Sequence, residues 1–409
     1  MSGSPVPFSE LTTLRVGGPA ASMFAPAHSR QLIETALQVW GSGDEWLLLG
    51  GGSNTVMADA GFDGSVIRVV TRGIERLRAE PGDGSHAGSA AGTAPGAGAV
   101  RLRVQAGEPW DELVAHAVER GWAGIEALSG IPGSAGAAPV QNIGAYGQEL
   151  SSVLVAVEFL DYLSGELHRI PAAELGLGYR TSELKQGRRG VVVSIEIELS
   201  EGAASRPDGA GGGLALSAPI AYAQLASALG VSLGDRVPLA ELRAAVLRLR
   251  ASKGMLLSPD DPDSVSAGSF FTNPIVSGHF AASLPADAPR WPQEVDVREP
   301  MVVPLDSFVP GDLTWQQAQR SQALGGAEAP RGAVKLSAAW LIEHSGVARG
   351  FSLPGSGAAV SGKHTLALVN RGSATASDIA ELARYVQSRV LSQFGVILQP
   401  EPVLVGVQV

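Results

Sequence analysis

From Ser29 to Trp40, the apolar residues Leu32, Ile33, Ala36, Leu37 and Trp40 recur at three- and four-residue spacing. That period predicts a helix with one buried face, Ser29 as its N-cap, and Gly41 and Gly43 ending it. The run Trp46 to Leu49 predicts a short buried strand, emptying into Gly50-Gly51-Gly52-Ser53-Asn54, and Ser65 to Val70 predicts another. Strand character returns at Val100 to Gln105, then Glu108 to Arg120 predicts a helix with Trp110, Leu113, Val114 and Ala117 inward. Val153 to Tyr162 and Val191 to Leu199 predict strands, the second alternating at Ile195, Ile197 and Leu199.

A further helix is predicted over Leu239 to Arg250, with Leu242, Val246 and Leu249 as its stripe. Near the end, Thr375 and Asp378 have the spacing of a capping box. The helix they open buries Ile379, Leu382, Val386 and Val390, runs through Phe394, and stops at Gly395. A closing strand is predicted from Val396 to Val409. The pattern fails in three places: residues 81–99 and 201–213 are low in complexity, and 281–331 is irregular and punctuated by proline. No tandem repeat is present.

The chain has 409 residues, 45% apolar and 17% charged, which suffices for a core and for two or three domains. Its formal net charge of −10 argues against a general nucleic-acid binder, which needs a basic face. A complete lack of cysteine removes disulfides, thiolate metal sites and a cysteine nucleophile, and no metal site is expected. Met1 to Glu10 lacks the basic-then-apolar order of a secretory signal. Charge-free stretches such as 127–148 are interrupted by proline and glycine, so no membrane span is expected and the protein is placed in the cytoplasm.

Five motifs carry chemistry. The 50–54 loop has neither the Lys-Ser/Thr ending of a P-loop nor a dinucleotide fingerprint, yet bare backbone lets amide groups approach a pyrophosphate. An ordinary glycine turn is the equal alternative. Gly130-Ile131-Pro132-Gly133 and Gln141-Asn142-Ile143-Gly144-Ala145-Tyr146-Gly147 put small residues around two amides, suited to a flat or phosphorylated ligand or to a packed loop. Tyr179-Arg180-Thr181-Ser182 sets a permanent cation beside a phenol, fit for a carboxylate or enolate oxygen, or for a surface stack. Ser269, ahead of Phe270 and Phe271, reads as a hydroxyl donor in a dry pocket or as a turn cap; no Gly-x-Ser-x-Gly elbow is present. Glu401, between Pro400 and Pro402, is either buried with a partner or an edge-strand carboxylate facing water.

In this order the motifs, from Leu11-Thr12-Thr13-Leu14-Arg15-Val16-Gly17-Gly18 to Gln399-Pro400-Glu401, resemble the UDP-N-acetylenolpyruvoylglucosamine reductase family, in its subgroup with a tyrosine substrate loop. The resemblance implies an α+β fold: a two-subdomain FAD-binding module of the vanillyl-alcohol-oxidase/p-cresol-methylhydroxylase type and a C-terminal α+β substrate-binding domain. The implied division is 1–76 and 77–240 for the two subdomains, 241–395 for the substrate domain, and 396–409 returning to the module. It implies non-covalent FAD with its pyrophosphate at Gly50, Gly51, Gly52, Ser53, Asn54 and Thr55. Ile131, Pro132, Gly133, Gln141, Asn142, Ile143, Gly144, Ala145 and Tyr146 would line the flavin. NADPH is the implied reductant and an enolpyruvyl UDP-sugar the substrate, reduced to UDP-N-acetylmuramate for peptidoglycan synthesis. By the same resemblance Ser269 donates the proton, Arg180 and Glu401 stabilise the enolate, and Tyr179, Tyr222, Lys253, Asn273 and His364 contact the substrate. Leu184 stands where the family usually has Phe, and Pro402 where it has a small aliphatic residue. The oligomeric state stays open, a monomer being slightly favoured.

Two other readings remain at this level. An oxidase of the same superfamily commonly tethers its flavin through His or Cys; the chain has no Cys, and the glycine motifs contain no His. A non-catalytic sugar-nucleotide sensor would be expected to have lost Arg180, Ser269 or Glu401, and all three are present.

Overall fold

The computed structural model describes residues 6–78, 98–202, 214–293 and 332–409. Most of each expected insertion (81–99, 201–213 and 281–331) lies outside the described residues, within 79–97, 203–213 and 294–331. The first layer comprises β1 (Ala20–Phe24), α1 (Ser29–Gly41), β2 (Trp46–Leu49), β3 (Thr55–Met57) and β4 (Phe62–Arg68). Strands β1 and β2 flank β4 in a parallel sheet. Helix α1 begins one residue earlier than expected, because His28 is the N-cap and Ser29 the first helical residue. The second strand of this region covers Phe62–Arg68, shifted toward the N-terminus from the expected 65–70.

The second layer is an antiparallel sheet with one helix and a separate two-stranded hairpin. It is built from β5 (Ile74–Arg76), β6 (Ala99–Gln105), α2 (Trp110–Glu119), β7 (Trp122–Ala123), the small hairpin β8 (Gly144–Ala145) and β9 (Gln148–Glu149), β10 (Leu154–Asp161), β11 (Leu167–Pro171) and β12 (Gly190–Glu201). The strand order is β11-β10-β12-β6-β5. Strand β12 does not follow simple alternation: both its faces are covered, and Ser194 and Glu196 are buried alongside Ile195 and Ile197. Glu196 tolerates this because Arg103 and Arg169 donate to its two oxygens at 3.0 and 2.6 Å, holding its pKa low against desolvation. Helix α2 starts at Trp110 rather than Glu108, whose carboxylate instead accepts the Gly73 amide at 2.8 Å.

Next come α3 (Ala223–Leu229) and α4 (Leu239–Ser252). Leu242 and Val246 of α4 share a core cluster with Ala127, Ile220 and Leu225, so the helix packs on the second layer. The expected boundary at 240/241 therefore cuts α4 after its second residue.

The last unit contains β13 (Ile275–Ser277), α5 (Gly278–Ser283), β14 (Arg290–Pro292), β15 (Ala333–Leu336), α6 (Ala338–His344), β16 (Ala358–Val360), β17 (Leu368–Asn370), α7 (Ala376–Phe394) and β18 (Val403–Val405). Part of the segment expected to be irregular is thus ordered: α5 opens on Ser277, whose hydroxyl accepts from Phe280, and β14 pairs with β15. In α7 the expected capping box forms, Ile379, Leu382, Val386 and Val390 are fully buried, and Gly395 closes the helix in the left-handed conformation. The closing strand is shorter than 396–409. Val403–Val405 pairs in parallel with β3, and ahead of it Pro400 makes a single antiparallel bridge with Phe271; neither Pro400 nor Pro402 has an N–H to extend a ladder.

Asp59, in the first layer, ties the two ends of the chain together. Its carboxylate accepts the backbone amides of Ala376 and Ser377 at 2.7 and 3.0 Å and the Ser377 hydroxyl at 2.8 Å, satisfying orphan donors at the start of α7 from outside the helix. Asp59→Ala is expected to cost about 1–2 kcal/mol, the range of a lost cap. A lower urea midpoint checks it; an unchanged midpoint would show that water replaces the carboxylate without loss.

Candidate active site

The 50–54 loop leaves β2 with no side chains in its way, and it needs that freedom. A Cβ on Gly51 would lie 2.6 Å from the Gly133 Cα, and one on Gly52, at φ +63°, would lie 2.1 Å from the Leu11 carbonyl oxygen. The two glycine segments thus meet backbone to backbone. Ser53 Oγ donates to the Pro132 carbonyl at 3.1 Å, and Thr13 donates its amide to the Gly52 carbonyl. Among the described residues, the amides of Gly51, Gly52, Ser53 and Asn54 find no protein acceptor. Consecutive unspent N–H groups in a bare turn form an anion cradle. That cradle fits the pyrophosphate of FAD.

The opposite wall runs from Gly130 to Tyr146. Gly130 is clamped on both sides of its backbone: its amide donates to Asp111 Oδ1 at 2.6 Å, and its carbonyl accepts from the buried Arg250 Nε at 3.1 Å. Arg243 braces Asp111 with two bonds of 2.6 and 2.9 Å. The Asp111 pKa is lowered because the hydrogen bonds and charges of Arg243 and Gly130 outweigh desolvation, its largest single influence. Gln141 Oε1 accepts from Asn54 Nδ2 at 3.2 Å, joining the two walls. Asn142 is left-handed and buried, and its side chain is engaged within the protein: it donates to Glu149 and to the Gly178 carbonyl and accepts the Ser151 amide. Ile143 is buried, and Gly144 and Ala145 form the edge of the hairpin.

The three expected catalytic residues come from distant segments. Glu401 is 9% exposed, which rules out the edge-strand alternative. Its Oε1 lies 3.5 Å from Arg180 Nε. Burial pushes its carboxyl up, more than the positive charges of Arg180 and Lys185 pull it down. Arg180 has φ +53°, a strained left-handed backbone, and its Nη2 reaches the Gly144 carbonyl at 3.5 Å. Ser269 is half-buried beside a two-stranded contact: Glu401 donates its amide to the Phe270 carbonyl at 2.9 Å, and Thr272 to the Gln399 carbonyl at 3.0 Å. Asn54 Nδ2 also reaches the Glu401 carbonyl at 3.3 Å, and Val403 donates to the Asn54 carbonyl at 2.9 Å, just before Thr55 opens β3.

Of the expected substrate residues, three face one region. Lys253 Nζ bonds Gln224 Oε1 at 2.9 Å and sits 5.6 Å from the centre of the Tyr146 ring, which stacks edge-on with Tyr222 at 5.7 Å. Desolvation, then the charge of Arg250, lower the Lys253 pKa. His364 is pulled down to about 4 by burial and then by Lys253 and Arg349, so it is neutral at pH 7. Asn273 Oδ1 is spent on the Ala338 amide at the start of α6. Tyr179, 40% exposed, instead meets Lys335, whose Nζ is 4.8 Å from its ring centre. Lys185, Lys335 and the Asp111–Arg250 clamp were not anticipated. Lys185 carries a signal, a cation shortly after the Tyr179–Ser182 motif; the others become neighbours only in the fold.

The FAD-binding-domain family matches residues 20–171, and the UDP-N-acetylenolpyruvoylglucosamine reductase C-terminal-domain family matches 260–405. A UDP-N-acetylenolpyruvoylglucosamine reductase of Leifsonia xyli is 60% identical over 409 residues, covering 98% of both chains. One of Thermobifida fusca is 45% identical over 403 residues, 98% of this chain and 97% of that one. The crystal structure of the Thermus caldophilus UDP-N-acetylenolpyruvylglucosamine reductase shares the fold, with a TM-score of 0.56 at 24% identity and 99% of each chain covered. The chain belongs to the UDP-N-acetylenolpyruvoylglucosamine reductase family, FAD-dependent oxidoreductases.

Proposed function

We propose that the protein uses NADPH to reduce the enolpyruvyl group of a UDP-N-acetylglucosamine enolpyruvate to the lactyl ether of UDP-N-acetylmuramate, a step of peptidoglycan precursor synthesis. The observation that carries this reading is the 3.5 Å contact of Arg180 with a buried Glu401, set beside the Ser269 segment. FAD, when bound, relays the hydride from NADPH to the methylene carbon. The 50–55 loop holds its pyrophosphate, and the segments 131–133 and 141–146 line the flavin. The cleavage of the chain into two FAD-binding subdomains and a substrate domain belongs to the same reading, with α4 kept whole on the FAD-binding side.

Hydride arrival at the methylene carbon leaves negative charge on the neighbouring carbon and its carboxylate. Arg180 supplies a permanent cation for the enolate oxygen. Glu401, its pKa raised chiefly by burial against the pull of Arg180 and Lys185, donates a hydrogen bond to the same charge when protonated. Ser269 gives its hydroxyl proton to the carbanionic carbon and is reprotonated from solvent, which completes the addition of H⁻ and H⁺ across the double bond. Lys253 offers its ammonium to the diphosphate, with neutral His364, Tyr222, Asn273 and Tyr179 as further polar contacts to the sugar nucleotide. A tethered-flavin oxidase is disfavoured by the absence of Cys from the chain and of His from both glycine walls.

Three outcomes test these assignments. Gly51→Ala forces the Gly51 and Gly133 backbones apart and is expected to weaken FAD binding to the apoprotein on the order of tenfold, ~1.4 kcal/mol; an unaltered flavin titration would remove the cradle. Ser269→Ala is expected to leave flavin reduction by NADPH intact while slowing anaerobic reoxidation by the enolpyruvyl UDP-sugar by about 10²-fold or more, the scale of a lost general acid. Normal turnover in that variant would sink the proton-donor role. A Glu401 that donates a hydrogen bond acts only in its protonated form, so the reoxidation rate is expected to fall as pH rises through its raised pKa, and Glu401→Gln, which cannot ionise, to flatten that limb. A pH dependence unchanged in the glutamine variant would assign the limb to another group.

A further inference from the structure

Arg180 holds a backbone conformation that an arginine does not adopt unaided. At φ +53° its Cβ crowds its own carbonyl, so something must keep the residue there. The ends of the loop are anchored: Gly178 and Thr181 exchange backbone bonds at 3.1 and 3.3 Å, Ser182 Oγ donates to the Val140 carbonyl, and Lys185 donates its amide to Ser182 Oγ at 3.1 Å. One of these bonds, from the Thr181 amide to the Gly178 carbonyl, holds the N–H side of the peptide that follows Arg180, and none of them reaches its carbonyl oxygen. A side chain does. Lys185 Nζ reaches the Arg180 carbonyl oxygen at 3.0 Å, while the guanidinium on the same residue faces Glu401.

We propose that Lys185 is a positioning residue for the reduction: its ammonium pins the Arg180 carbonyl and so keeps the guanidinium aimed at Glu401. A surface lysine would extend into water and gain more rotamer freedom there. This one is an exposed residue, yet its ammonium turns back onto the Arg180 loop. Desolvation, partly offset by Glu401 and reinforced by Arg180, lowers its pKa, as expected for an ammonium held over a site that already contains a cation. Among the described residues, Arg180 and Lys185 are the two charged groups acting on the Glu401 carboxyl. The other segments packed there bring neutral Asn54, Gln141, Ser269 and Thr272.

The inference rests on the roles of Arg180 and Glu401 given above, and its test separates the two. Lys185→Met removes both the bond and the charge; Lys185→Arg restores a donor and a charge. With FAD bound, Lys185→Met is expected to keep the rate of flavin reduction by NADPH within about twofold, and to slow anaerobic reoxidation by the enolpyruvyl UDP-sugar about tenfold or more, with Lys185→Arg recovering most of it. Independently of turnover, a carbon-13 titration of the Glu401 carboxyl, assigned with Glu401→Gln, should move to higher pH in Lys185→Met, because one of two nearby cations is gone. Equal slowing of both half-reactions, or loss of FAD, would make Lys185 a folding residue and overturn the proposal. An unmoved Glu401 titration together with wild-type reoxidation would make it a solvated surface lysine. If the unaltered protein itself fails to reoxidise with the UDP-sugar, the functional reading falls, while the Glu401 titration still decides the placement of Lys185.

Discussion

The site depends on the return of the C-terminal segment to the glycine loop near the N-terminus. Strand β18 pairs in parallel with β3, and Val403 donates to the Asn54 carbonyl. Two residues before that bond stands Glu401. Its backbone is held from both sides, by the Phe270 carbonyl and by the Asn54 side chain. One short ladder therefore sets a carboxylate against Arg180 from the middle of the chain and brings the Ser269 segment alongside. Pro400 bridges to Phe271 and Val403 opens the pairing with β3, so Glu401 stands at the changeover between two partners, between two prolines that have no N–H to donate.

Burial then makes the arrangement chemically useful. In water a glutamate beside two cations would titrate lower than usual; here desolvation outweighs them and the carboxyl is pushed up. The same balance runs in opposite directions elsewhere. Asp111 and Glu196 are also partly desolvated, but paired arginines dominate and keep them ionised as structural anchors. Carboxylates with two or more donors serve as fixed clamps, whereas Glu401, with one contact at 3.5 Å, remains poised. The Asp111–Gly130–Arg250 clamp belongs to the first kind: it fixes the segment that begins at Gly130, one wall of the proposed FAD cleft, with both sides of the residue's backbone held.

The glycine walls illustrate how a motif can be right in place and divided in purpose. Gly51 and Gly133 are bare partly because their backbones touch each other, and Gly52 because Leu11 crosses behind it. Close approach within the protein exposes the amides that an anion would use. Asn142 is the converse case. Its side chain looked like a ligand group, yet each polar end is taken up by Glu149, Gly178 and Ser151, so it ties the 141–147 segment to the Arg180 loop.

What the sequence determined by itself was local or strictly linear. The stripe and capping box of α7 were readable because helix periodicity and a three-residue hydrogen-bonded cap involve only near neighbours. The order of the motifs was readable because it is a property of the line, and it pointed to the family that the comparisons bear out. Helix starts slipped by a residue or two where a neighbour from another element took over, as when Glu108 bonded Gly73 instead of opening α2. The tertiary structure alone decided that Glu401 is buried rather than at a wet edge, that α4 packs on the second layer, and that Lys185 turns back onto Arg180. These outcomes depend on which surfaces lose water and which distant charges face one another, and no short-range pattern along the chain encodes either.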